Sequence, residues 1–340
     1  MTVDRDRETI AEKMQIGSEI LYLTRQEVMD LGLTIEEIID LTKDALLAHG
    51  NKQYEMPAKI GVHPYKDGFF HAMPAYVSTR EAVGLKWIES YPSNPDDFGL
   101  PQTTGLMIMN DVPTGCPLAV MDATLITAMR TPAVTALAAG ALHPDATTFG
   151  MYGCGVQGTE HCRHIVHTLP KLEKIYVYDR YPEAADRLIE TVMPEIGVEI
   201  VRGDSPEVVA KSCEVLCTAT VIMLKPLTVI EDGWISAGQT ILPCDLNTYF
   251  DPATLRRADK YFVDSEESHR LFETMGYFPD GLPQVSGETG EILAGRVKGR
   301  ESVDQLIACS NIGMAVCDVV VGKALMMRAL EKGKGRILPL

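Results

Sequence analysis

The chain of 340 residues is 46% hydrophobic and 23% charged, so it has enough apolar content to bury the core of one large domain or of two ordinary domains. Its 47 acidic and 31 basic residues give a formal net charge of -16, which opposes binding to nucleic acid and to anionic membrane surfaces. A local cluster of basic residues in such an acidic chain therefore indicates an anionic ligand.

The sequence contains no recognisable targeting or membrane segment. The opening letters, MTVDRDRETIAEKMQ, are charged and lack the apolar core of a signal peptide, and nowhere do about 18 apolar residues follow one another. Eight cysteines are scattered without a Cys-x-x-Cys pair, which favours reduced, buried thiols over a disulfide scaffold. We therefore predict a cytoplasmic protein.

The first part of the chain combines helices with short strands. Thr24 with Glu27, and Thr34 with Glu37, have the spacing of a capping box, so a helix is expected to begin after each threonine. Over residues 56–120, short apolar runs alternate with turn sequences such as YPSNPDDFG and NDVPTG. This pattern predicts a mainly antiparallel sheet rather than a dinucleotide-binding fold.

A helix is predicted after Asp122, in the sequence ATLITAM, and the letters RTP interrupt it. Pro132 lacks a backbone N–H and its ring clashes with the preceding helical turn, so we expect a helix break at Arg130 and Thr131. Such a break would free the first backbone N–H groups of the next helix and direct Arg130 towards a ligand at that end.

From residue 144 the pattern changes to strands that alternate with short helices, which predicts a parallel, doubly wound sheet. The closing segment, IGMAVCDVVVGKALMMRALEKG, is helical and apolar and is expected to return to the first domain. The predicted fold class is therefore α/β, with a Rossmann-type domain over residues 144–311. An α+β domain with a mainly antiparallel sheet would comprise residues 1–143 and 312–340.

A Gly-x-Gly-x-x-Gly string stands in the stretch FGMYGCGVQGTEH, between a predicted strand and a predicted helix. Gly153 would form the tight turn, Gly155 would let a pyrophosphate approach the backbone, and Gly158 would let the helix pack closely on the strand. Val156 and Gln157 begin the helix, whose positive N-terminus favours phosphate. The string therefore predicts a dinucleotide-binding turn, although glycine recurs in ordinary tight turns.

An acidic residue stands where such a turn requires one. Asp179 ends the predicted strand KIYVYDR, about twenty residues beyond Gly158, where a carboxylate binds the adenosine ribose diol. A carboxylate repels a 2'-phosphate, so NAD(H) is the predicted cofactor. Arg180 partly offsets that repulsion and keeps NADP(H) as the alternative. The alternative interpretation, which involves no cofactor, is an ordinary tight turn followed by a surface aspartate.

A further set of motifs lies mostly outside the glycine string. Together with GCGVQG and with the order of the elements, they resemble the ornithine cyclodeaminase/mu-crystallin family from about Ile20 onwards. The motifs are MPAK at 56–59, HAMPAY at 71–76, GLKWIESYP at 84–92, PLAVMDATLITAMRTPAV at 117–134 and NIGMAVCD at 311–318.

The resemblance implies a homodimer in which residues 1–143 and 312–340 bind substrate and dimerise, while the Rossmann domain binds NAD(H). The substrate would lie between the two domains. Reactions of the family are hydride transfers at the carbon–nitrogen centre of an amino acid, namely cyclodeamination of ornithine, dehydrogenation of alanine, and reduction of ketimines and cyclic imino acids.

The resemblance also implies roles for three basic residues. Arg130 would bind the substrate carboxylate, Lys86 would contact the carboxylate or the imine, and Lys59 would replace an arginine found in some members. A guanidinium offers a two-pronged contact to carboxylate, while a lysine is a compact charge that exchanges a proton when burial lowers its pKa. The alternative for each is a solvated surface charge. Predicted cofactor contacts are completed by Thr131, Thr218 and Thr220.

The proton-transfer group is expected in the loop ILPCDLNTYFDP. The family carries an aspartate in this loop, and Asp245 is the obvious carboxylate here. Counting from Gly238 places the family's position nearer Asn247, so the assignment between the two stays open. We predict Asp245 as the catalytic residue, with a helix-capping or turn role as its alternative.

His71 departs from the family pattern. Ornithine cyclodeaminases tend to carry a glutamate before the letters MP, which suits a distal ammonium, whereas FFHAMP offers an imidazole. An imidazole does not attract an ammonium, but it exchanges protons or meets a second carboxylate. We therefore include His71 among the catalytic candidates, and a core histidine bonded to a backbone carbonyl is the alternative.

The helix sequence HCRHIVH is not predicted to bind metal. His161, His164 and His167 recur every three residues, which spreads them around a helix instead of pairing them on one face. Ordinary packing is expected for these side chains, and no metal site is predicted.

The sequence therefore predicts an NAD(H)-dependent oxidoreductase acting on a small amino, imino or oxo acid, either an imine or ketimine reductase or an amino-acid dehydrogenase. The first alternative is ornithine cyclodeaminase, which the missing glutamate at His71 disfavours. The second is a non-catalytic, mu-crystallin-like ligand-binding protein, which the retained ionisable residues disfavour. The expected partners are the substrate and a second copy of the chain, with neither nucleic acid nor membrane.

Overall fold

The computed structural model describes residues 2–65 and 68–340, the side chains of residues 2–5 excepted. The chain divides into two compact units. Unit 1 comprises Met1–Arg130 and Met314–Leu340, and unit 2 comprises Thr131–Gly313. The units divide after Arg130 and after Gly313, whereas the sequence predicts domain boundaries after residues 143 and 311, and as limits of functional domains these stay a prediction.

The described residues form twelve α-helices and sixteen strands. The helices are α1 Thr2–Lys13, α2 Arg25–Asp30, α3 Ile35–Gly50, α4 Asn94–Phe98, α5 Thr124–Leu142, α6 Val156–Ile165, α7 Pro182–Ile196, α8 Pro206–Ser212, α9 Pro252–Arg257, α10 Glu266–Thr274, α11 Thr289–Leu293 and α12 Ala315–Lys332.

The strands of unit 1 are β1 Glu19–Leu23, β2 Tyr54–Glu55, β3 Ile60–Tyr65, β4 Gly68–Val77, β5 Ala82–Ser90, β6 Thr103–Asn110, β7 Pro117–Asp122 and β16 Arg336–Pro339. Those of unit 2 are β8 Thr148–Tyr152, β9 Lys174–Tyr178, β10 Glu199–Arg202, β11 Val215–Thr218, β12 Thr240–Pro243, β13 Lys260–Val263, β14 Val285–Glu288 and β15 Ile307–Ser310.

Both predicted capping boxes are confirmed. Thr24 accepts a hydrogen bond from the backbone of Glu27 and begins α2, and Thr34 does the same with Glu37 at the start of α3. In each case the glutamate side chain accepts the backbone N–H of the threonine, at 2.8 Å. Two backbone donors that would otherwise lack partners are thereby satisfied at each helix start.

Unit 1 has a mixed, mainly antiparallel sheet, as predicted. Its strand order is β16-β1-β7-β6-β5-β4-β2, with β3 paired to β4, and β1 and β7 form its parallel pair. The long helix α12 packs against β4, β5 and β6. Alternation along β5 places Lys86 on the buried face and Trp87 on the opposite, exposed face.

Unit 2 has a parallel sheet in the order β10-β9-β8-β11-β12-β15-β13-β14. Successive residues of a strand enter two different cores, since Val215 and Cys217 belong to one hydrophobic cluster and Leu216 to the other. A sheet buried on both faces, with α-helices between most consecutive strands and a short 3-10 helix between β11 and β12, is the doubly wound arrangement predicted for this segment.

The predicted helix break at Pro132 is wrong. Helix α5 runs without interruption from Thr124 to Leu142 with Pro132 inside it. An internal proline costs about 3 kcal/mol, but residues 132–139 are all buried, and apolar packing of this extent outweighs the local cost. Arg130 and Thr131 therefore lie within a helix and not at the start of one.

Among the described residues, one helix, α5, has the length and apolar composition that a membrane span requires. In that stretch, 61% is buried inside the protein. A mostly buried apolar helix is typical of a protein core.

Candidate functional site

Lys86 is a buried cation at the centre of the sheet of unit 1. Its side chain is 0% exposed and lies on β5, in register with Met73 of β4 and Met107 of β6. An ammonium taken out of water in such apolar surroundings costs several kcal/mol unless a charged partner compensates it. That partner is Asp318, whose Oδ1 accepts a hydrogen bond from Lys86 Nζ at 2.8 Å.

Asp318 joins Lys86 to Arg130. Its Oδ1 also accepts a hydrogen bond from Arg130 Nε at 2.8 Å, and the Arg130 residue is only 4% exposed. Asp318 itself is fully buried in the first turn of α12. Two of the three basic residues predicted to bind substrate are thus brought together by a residue that the sequence analysis missed.

The charges of this cluster shift its pKa values. Burial lowers the pKa of Lys86 to about 7, the Arg130 charge acts in the same direction, and Asp318 opposes both. Burial alone would raise the pKa of Asp318, but the charges of Arg130 and Lys86 hold it below its ordinary value. Asp318 is therefore ionised at neutral pH, whereas Lys86 is poised between its two forms.

Lys59 and His71 add to the basic surroundings of Lys86. Lys59 is 9% exposed and precedes β3, and its charge lowers the pKa of both Lys86 and His71. Burial, together with Lys59, His63 and Lys86, lowers the pKa of His71 to about 3. The His71 ring stacks on Phe69, with 4.0 Å between centroids. At neutral pH it is therefore a neutral imidazole, and its catalytic role stays a prediction.

The glycine string in unit 2 has the geometry of a dinucleotide-binding turn. Gly153 has φ +91°, a left-handed conformation that favours glycine, and a Cβ on Gly158 would lie 1.8 Å from the carbonyl oxygen of Gly153. Gly155 precedes α6, and a Cβ built on it would meet no described atom within 4 Å. This turn therefore packs closely against its helix and leaves open space beside Gly155, as a bound pyrophosphate requires.

Asp179 lies beside this turn. Its Oδ2 accepts the backbone N–H of Cys154 at 2.8 Å, and its Oδ1 accepts the N–H of Tyr181 at 2.9 Å. The guanidinium of Arg180 covers the Tyr181 ring at 4.6 Å from its centroid. The carboxylate is thus held at the end of β9, where it suits a ribose diol, and Val156 and Gln157 form the first turn of α6. These residues fit an NAD(H) molecule.

Asp245 is a fully buried carboxylate that follows β12. It accepts hydrogen bonds from the hydroxyl groups of Thr218, at 2.7 Å, and Thr220. Burial raises the pKa of Asp245 to about 6, and these hydrogen bonds oppose the rise. Asn247 is also buried, but the two threonine hydroxyls face Asp245. Asp245 therefore has the environment of a group that exchanges a proton near neutral pH.

The histidines of α6 are oriented by their own helix. His161 Nδ1 and His164 Nδ1 each lie 2.7 Å from the carbonyl oxygen four residues earlier. Because a carbonyl only accepts, Nδ1 of His161 carries a proton, and Nε2 lies 3.1 Å from Thr135 Oγ1 and 3.5 Å from Cys244 Sγ. One ligand atom each of His161, Cys217 and Cys244 lies within 4.8 Å of the others. Neighbouring strands bring the cysteines together, so sequence spacing did not indicate this group.

The predicted site residues thus form two groups, each described within its own unit. Unit 1 gathers Lys86, Arg130 and Asp318, with the Lys59 charge acting on Lys86. Unit 2 gathers Asp245 with two threonines, and holds the glycine turn with Asp179. Thr131 lies half-buried inside α5, and its contact with a cofactor stays a prediction. The missed Asp318 had two signals in the sequence, since it is a charged residue in the apolar helical run AVCDVVV and also the last residue of the motif NIGMAVCD.

Comparisons with known proteins agree with this arrangement. The sequence model of the ornithine cyclodeaminase/mu-crystallin family matches residues 19–333. The nodulation efficiency protein NfeD of Rhizobium meliloti is 30% identical over 320 residues, which cover 94% of this chain and 98% of that protein.

Two solved structures are similar over nearly the whole chain. Thermococcus litoralis Δ1-pyrroline-2-carboxylate reductase, solved with NADH and L-proline, has a TM-score of 0.83 and 30% identity, covering 93% of this chain and 99% of that one. An archaeal alanine dehydrogenase dimer with bound NAD has a TM-score of 0.82 and 30% identity, covering 94% and 99%. These names confirm the predicted fold class and, at the level of the family, the predicted reaction class and cofactor. The chain belongs to the ornithine cyclodeaminase/mu-crystallin family.

Proposed function

We propose that this protein is an NAD(H)-dependent oxidoreductase that interconverts a small imino acid, or an oxo acid with ammonia, and the corresponding amino acid. The observation that carries the proposal is the buried cluster of Lys86, Arg130 and Asp318 in a chain that also has the dinucleotide-binding turn. Most charged side chains are solvated, so burial of three of them in one cluster points to a function beyond packing.

The cluster has the charge that a substrate carboxylate requires. Lys86 and Arg130 carry two positive charges when both are protonated, and Asp318 balances one of them. A carboxylate would neutralise the remaining charge in low-dielectric surroundings, where ion pairing is stronger than in water. The Lys59 charge adds to this attraction and favours substrates that carry a further anionic group.

The cofactor would bind on the turn of Gly153, Gly155 and Gly158, with its pyrophosphate at the start of α6 and its ribose on Asp179. We propose NAD(H) as the preferred form, because the Asp179 carboxylate repels a 2'-phosphate, and Arg180 keeps NADP(H) as the alternative. Bound NADH supplies the hydride for the substrate carbon. The protein's own contribution is to orient the substrate and to move protons.

Proton transfer is proposed for Asp245, which the two threonine hydroxyls orient. In the direction of reduction the protonated acid would give its proton to the substrate nitrogen, and in the direction of oxidation the carboxylate would remove one. A group with a pKa of about 6 is present in both forms near neutral pH, as such a dual role requires. Protonated Lys86 would contact the carboxylate or the imine, and His71 would assist as a neutral imidazole.

We also propose that the protein is a cytoplasmic homodimer, with a second copy of the chain covering the outer face of the sheet of unit 1. Trp87 and Leu106 pair across β5 and β6 on this face and are 38% and 46% exposed. The adjoining strand β3 adds Ile60 and Val62, which are 69% and 56% exposed. Contiguous exposed apolar side chains mark an interaction surface, and the similar alanine dehydrogenase was solved as a dimer.

The function is tested by the ultraviolet absorbance of NADH and then NADPH in the presence of oxo acids with ammonia or amines and of preformed cyclic imines. Substrate-dependent loss of NADH would support the proposal. Comparing the rates with NADH and NADPH would show whether the repulsion of a 2'-phosphate by Asp179 or its attraction by Arg180 is stronger. Ammonia and proline released from ornithine without net NADH change would identify a cyclodeaminase instead. Ligand binding with no turnover of any substrate would identify a non-catalytic binder.

A further inference from the structure

We infer that Asp318 is a positioning residue that fixes the geometry and the charge of the two substrate-binding cations. The inference rests on the proposed function of Lys86 and Arg130 and adds a residue to it. Asp318 acts through these two cations, so its removal would change their protonation and orientation without removing either side chain.

The geometry places a single oxygen between two cations. Asp318 Oδ1 lies 2.8 Å from Lys86 Nζ and 2.8 Å from Arg130 Nε. The three side chains come from β5, α5 and α12, and the contacts span 232 and 188 residues of sequence. A shared acceptor on a separate helix therefore fixes the distance between the two donors, which neither strand nor helix geometry would fix alone.

The position of Asp318 favours its ionised form. It stands in the first turn of the 18-residue helix α12, where the helix dipole stabilises a negative charge. The side chain is fully buried, and truncating one partner of a buried ion pair leaves the other charge uncompensated. The anion is therefore a permanent part of the basic cluster and not an exchangeable surface charge.

Without this anion, the charged and titratable neighbours of Lys86 among the described residues would be positive or neutral, and none of them would stabilise its charge. Those neighbours are Arg130 on α5, Lys59 before β3 and His71 on β4. Asp318 is the neighbour that raises the pKa of Lys86, so an uncharged residue at position 318 would let Lys86 lose its proton at lower pH. Lys86 would then be neutral over a wider pH range and would bind a carboxylate less well.

The variant Asp318→Asn tests this inference, because it keeps the size of the side chain and removes its charge. The measurement is the ratio of the wild-type kcat/KM to the variant kcat/KM across pH, with the oxo or imino acid that the absorbance assay identifies. At a pH at which Lys86 is protonated in both proteins, we expect a small, constant ratio that reflects only the changed orientation of the two cations. Above the pKa of Lys86, each unit by which its pKa falls should raise the ratio about tenfold. A residue needed only for folding would lower kcat/KM by the same factor at every pH.

Two further variants separate the inference from a general loss of stability. Asp318→Glu keeps the carboxylate and should restore part of the wild-type pH profile. Asp264→Asn removes another fully buried carboxylate, which accepts the backbone N–H groups of Ser265 and Gly313 in unit 2. It should lower the melting temperature without moving the pH dependence.

Binding of pyruvate, measured by calorimetry on NADH-loaded protein at several pH values, requires no turnover. Pyruvate binding should weaken as the pH rises in both proteins. The inference is supported if this weakening begins at a lower pH in Asp318→Asn than in the wild type. An active wild type whose pH profile and pyruvate binding are unchanged by Asp318→Asn would overturn the inference and leave the proposed function intact. A wild type that neither turns over substrate nor binds pyruvate would overturn both.

Discussion

Thr218 Oγ1 donates a hydrogen bond of 2.7 Å to Asp245 Oδ1, and this contact joins the ends of two neighbouring strands. Thr218 is the last residue of β11, and Asp245 follows β12 by two residues. The carboxyl ends of neighbouring parallel strands meet at one edge of a sheet, where doubly wound proteins bind their ligands. The contact therefore holds the proposed proton-transfer group at the edge of the sheet where a cofactor would bind.

The variant Asp245→Asn should lower kcat by about 10² to 10⁴-fold, because an amide cannot exchange the proton that a positioned carboxyl group transfers. NADH affinity should change little, as measured by fluorescence titration. Asn247→Ala is the matched control from the same buried loop. If Asn247→Ala abolished turnover while Asp245→Asn did not, position 247 would hold the catalytic role.

The variant Thr218→Val keeps the shape of the side chain and removes its hydroxyl group. It should shift the pH dependence of the reaction. The hydroxyl stabilises the ionised form of Asp245, so its removal should raise the pKa of Asp245 above about 6. Oxidation of the amino acid needs the carboxylate, and its rate should therefore rise at higher pH than in the wild type. Rate profiles in both directions would measure this.

The reductive direction provides the control for Thr218→Val, because it uses the protonated acid. The pH at which the rate of reduction declines should increase together with the pH at which the rate of oxidation rises. A change in only one of these two pH values would contradict the assignment of both to Asp245.

The two variants Gly155→Ala and Gly158→Ala should fail in different ways. A Cβ at Gly155 meets no described atom within 4 Å, so Gly155→Ala should fold with a nearly unchanged melting temperature. The same Cβ would stand where a phosphate approaches the backbone, so NADH binding should weaken by about tenfold or more. A Cβ at Gly158 would lie 1.8 Å from backbone of Gly153, so Gly158→Ala should lower the melting temperature itself. Calorimetric melting and NADH titration distinguish the two outcomes, and unchanged NADH binding by Gly155→Ala would argue against the pyrophosphate position.

The variant Asp179→Ser should change cofactor preference. It removes the carboxylate that would repel a 2'-phosphate and leaves Arg180 to attract one, so the ratio of NADPH to NADH efficiency should rise about tenfold or more. The matched control is Asp186→Asn, which changes an exposed carboxylate of the same unit that pairs with Arg202. An unchanged ratio in Asp179→Ser would place the ribose elsewhere.

The variant Trp87→Glu should convert the proposed dimer into a monomer, because it introduces a charge on the apolar outer face of the sheet. Light scattering after size-exclusion chromatography measures the mass. Val303→Glu is the control, since Val303 is 81% exposed in unit 2. A dimer that survives Trp87→Glu and Leu106→Glu together would mean that another surface joins the copies.

Local signals explain why much of the structure was predictable from sequence. Thr34 and Glu37 indicate the start of α3 by their spacing within four residues. The glycines of the predicted cofactor turn and Asp179 likewise have a spacing that one strand-helix-strand unit determines. Such features depend on neighbours in the chain, so the printed sequence contains most of the information that determines them.

Long-range packing explains what the sequence did not reveal. Pro132 looked like a helix break because its local cost is visible in sequence, while the burial of residues 132–139 that offsets this cost is not. Asp318 stands 232 residues from Lys86, so no spacing connects them. His161, Cys217 and Cys244 likewise converge only through the order of the strands.

The hydrogen bond from the backbone of Cys154 to Asp179 gives one side chain two tasks. The carboxylate that would select the ribose also holds the peptide between Gly153 and Gly155 in place. A substitution at position 179 that admits a phosphate would also leave the Cys154 N–H without this acceptor, so a shift of preference towards NADPH should come with a loosened loop and weaker binding of both coenzymes. A second substitution that restores an acceptor for this N–H would recover the lost affinity, so coenzyme choice and the stability of the loop are linked through one side chain.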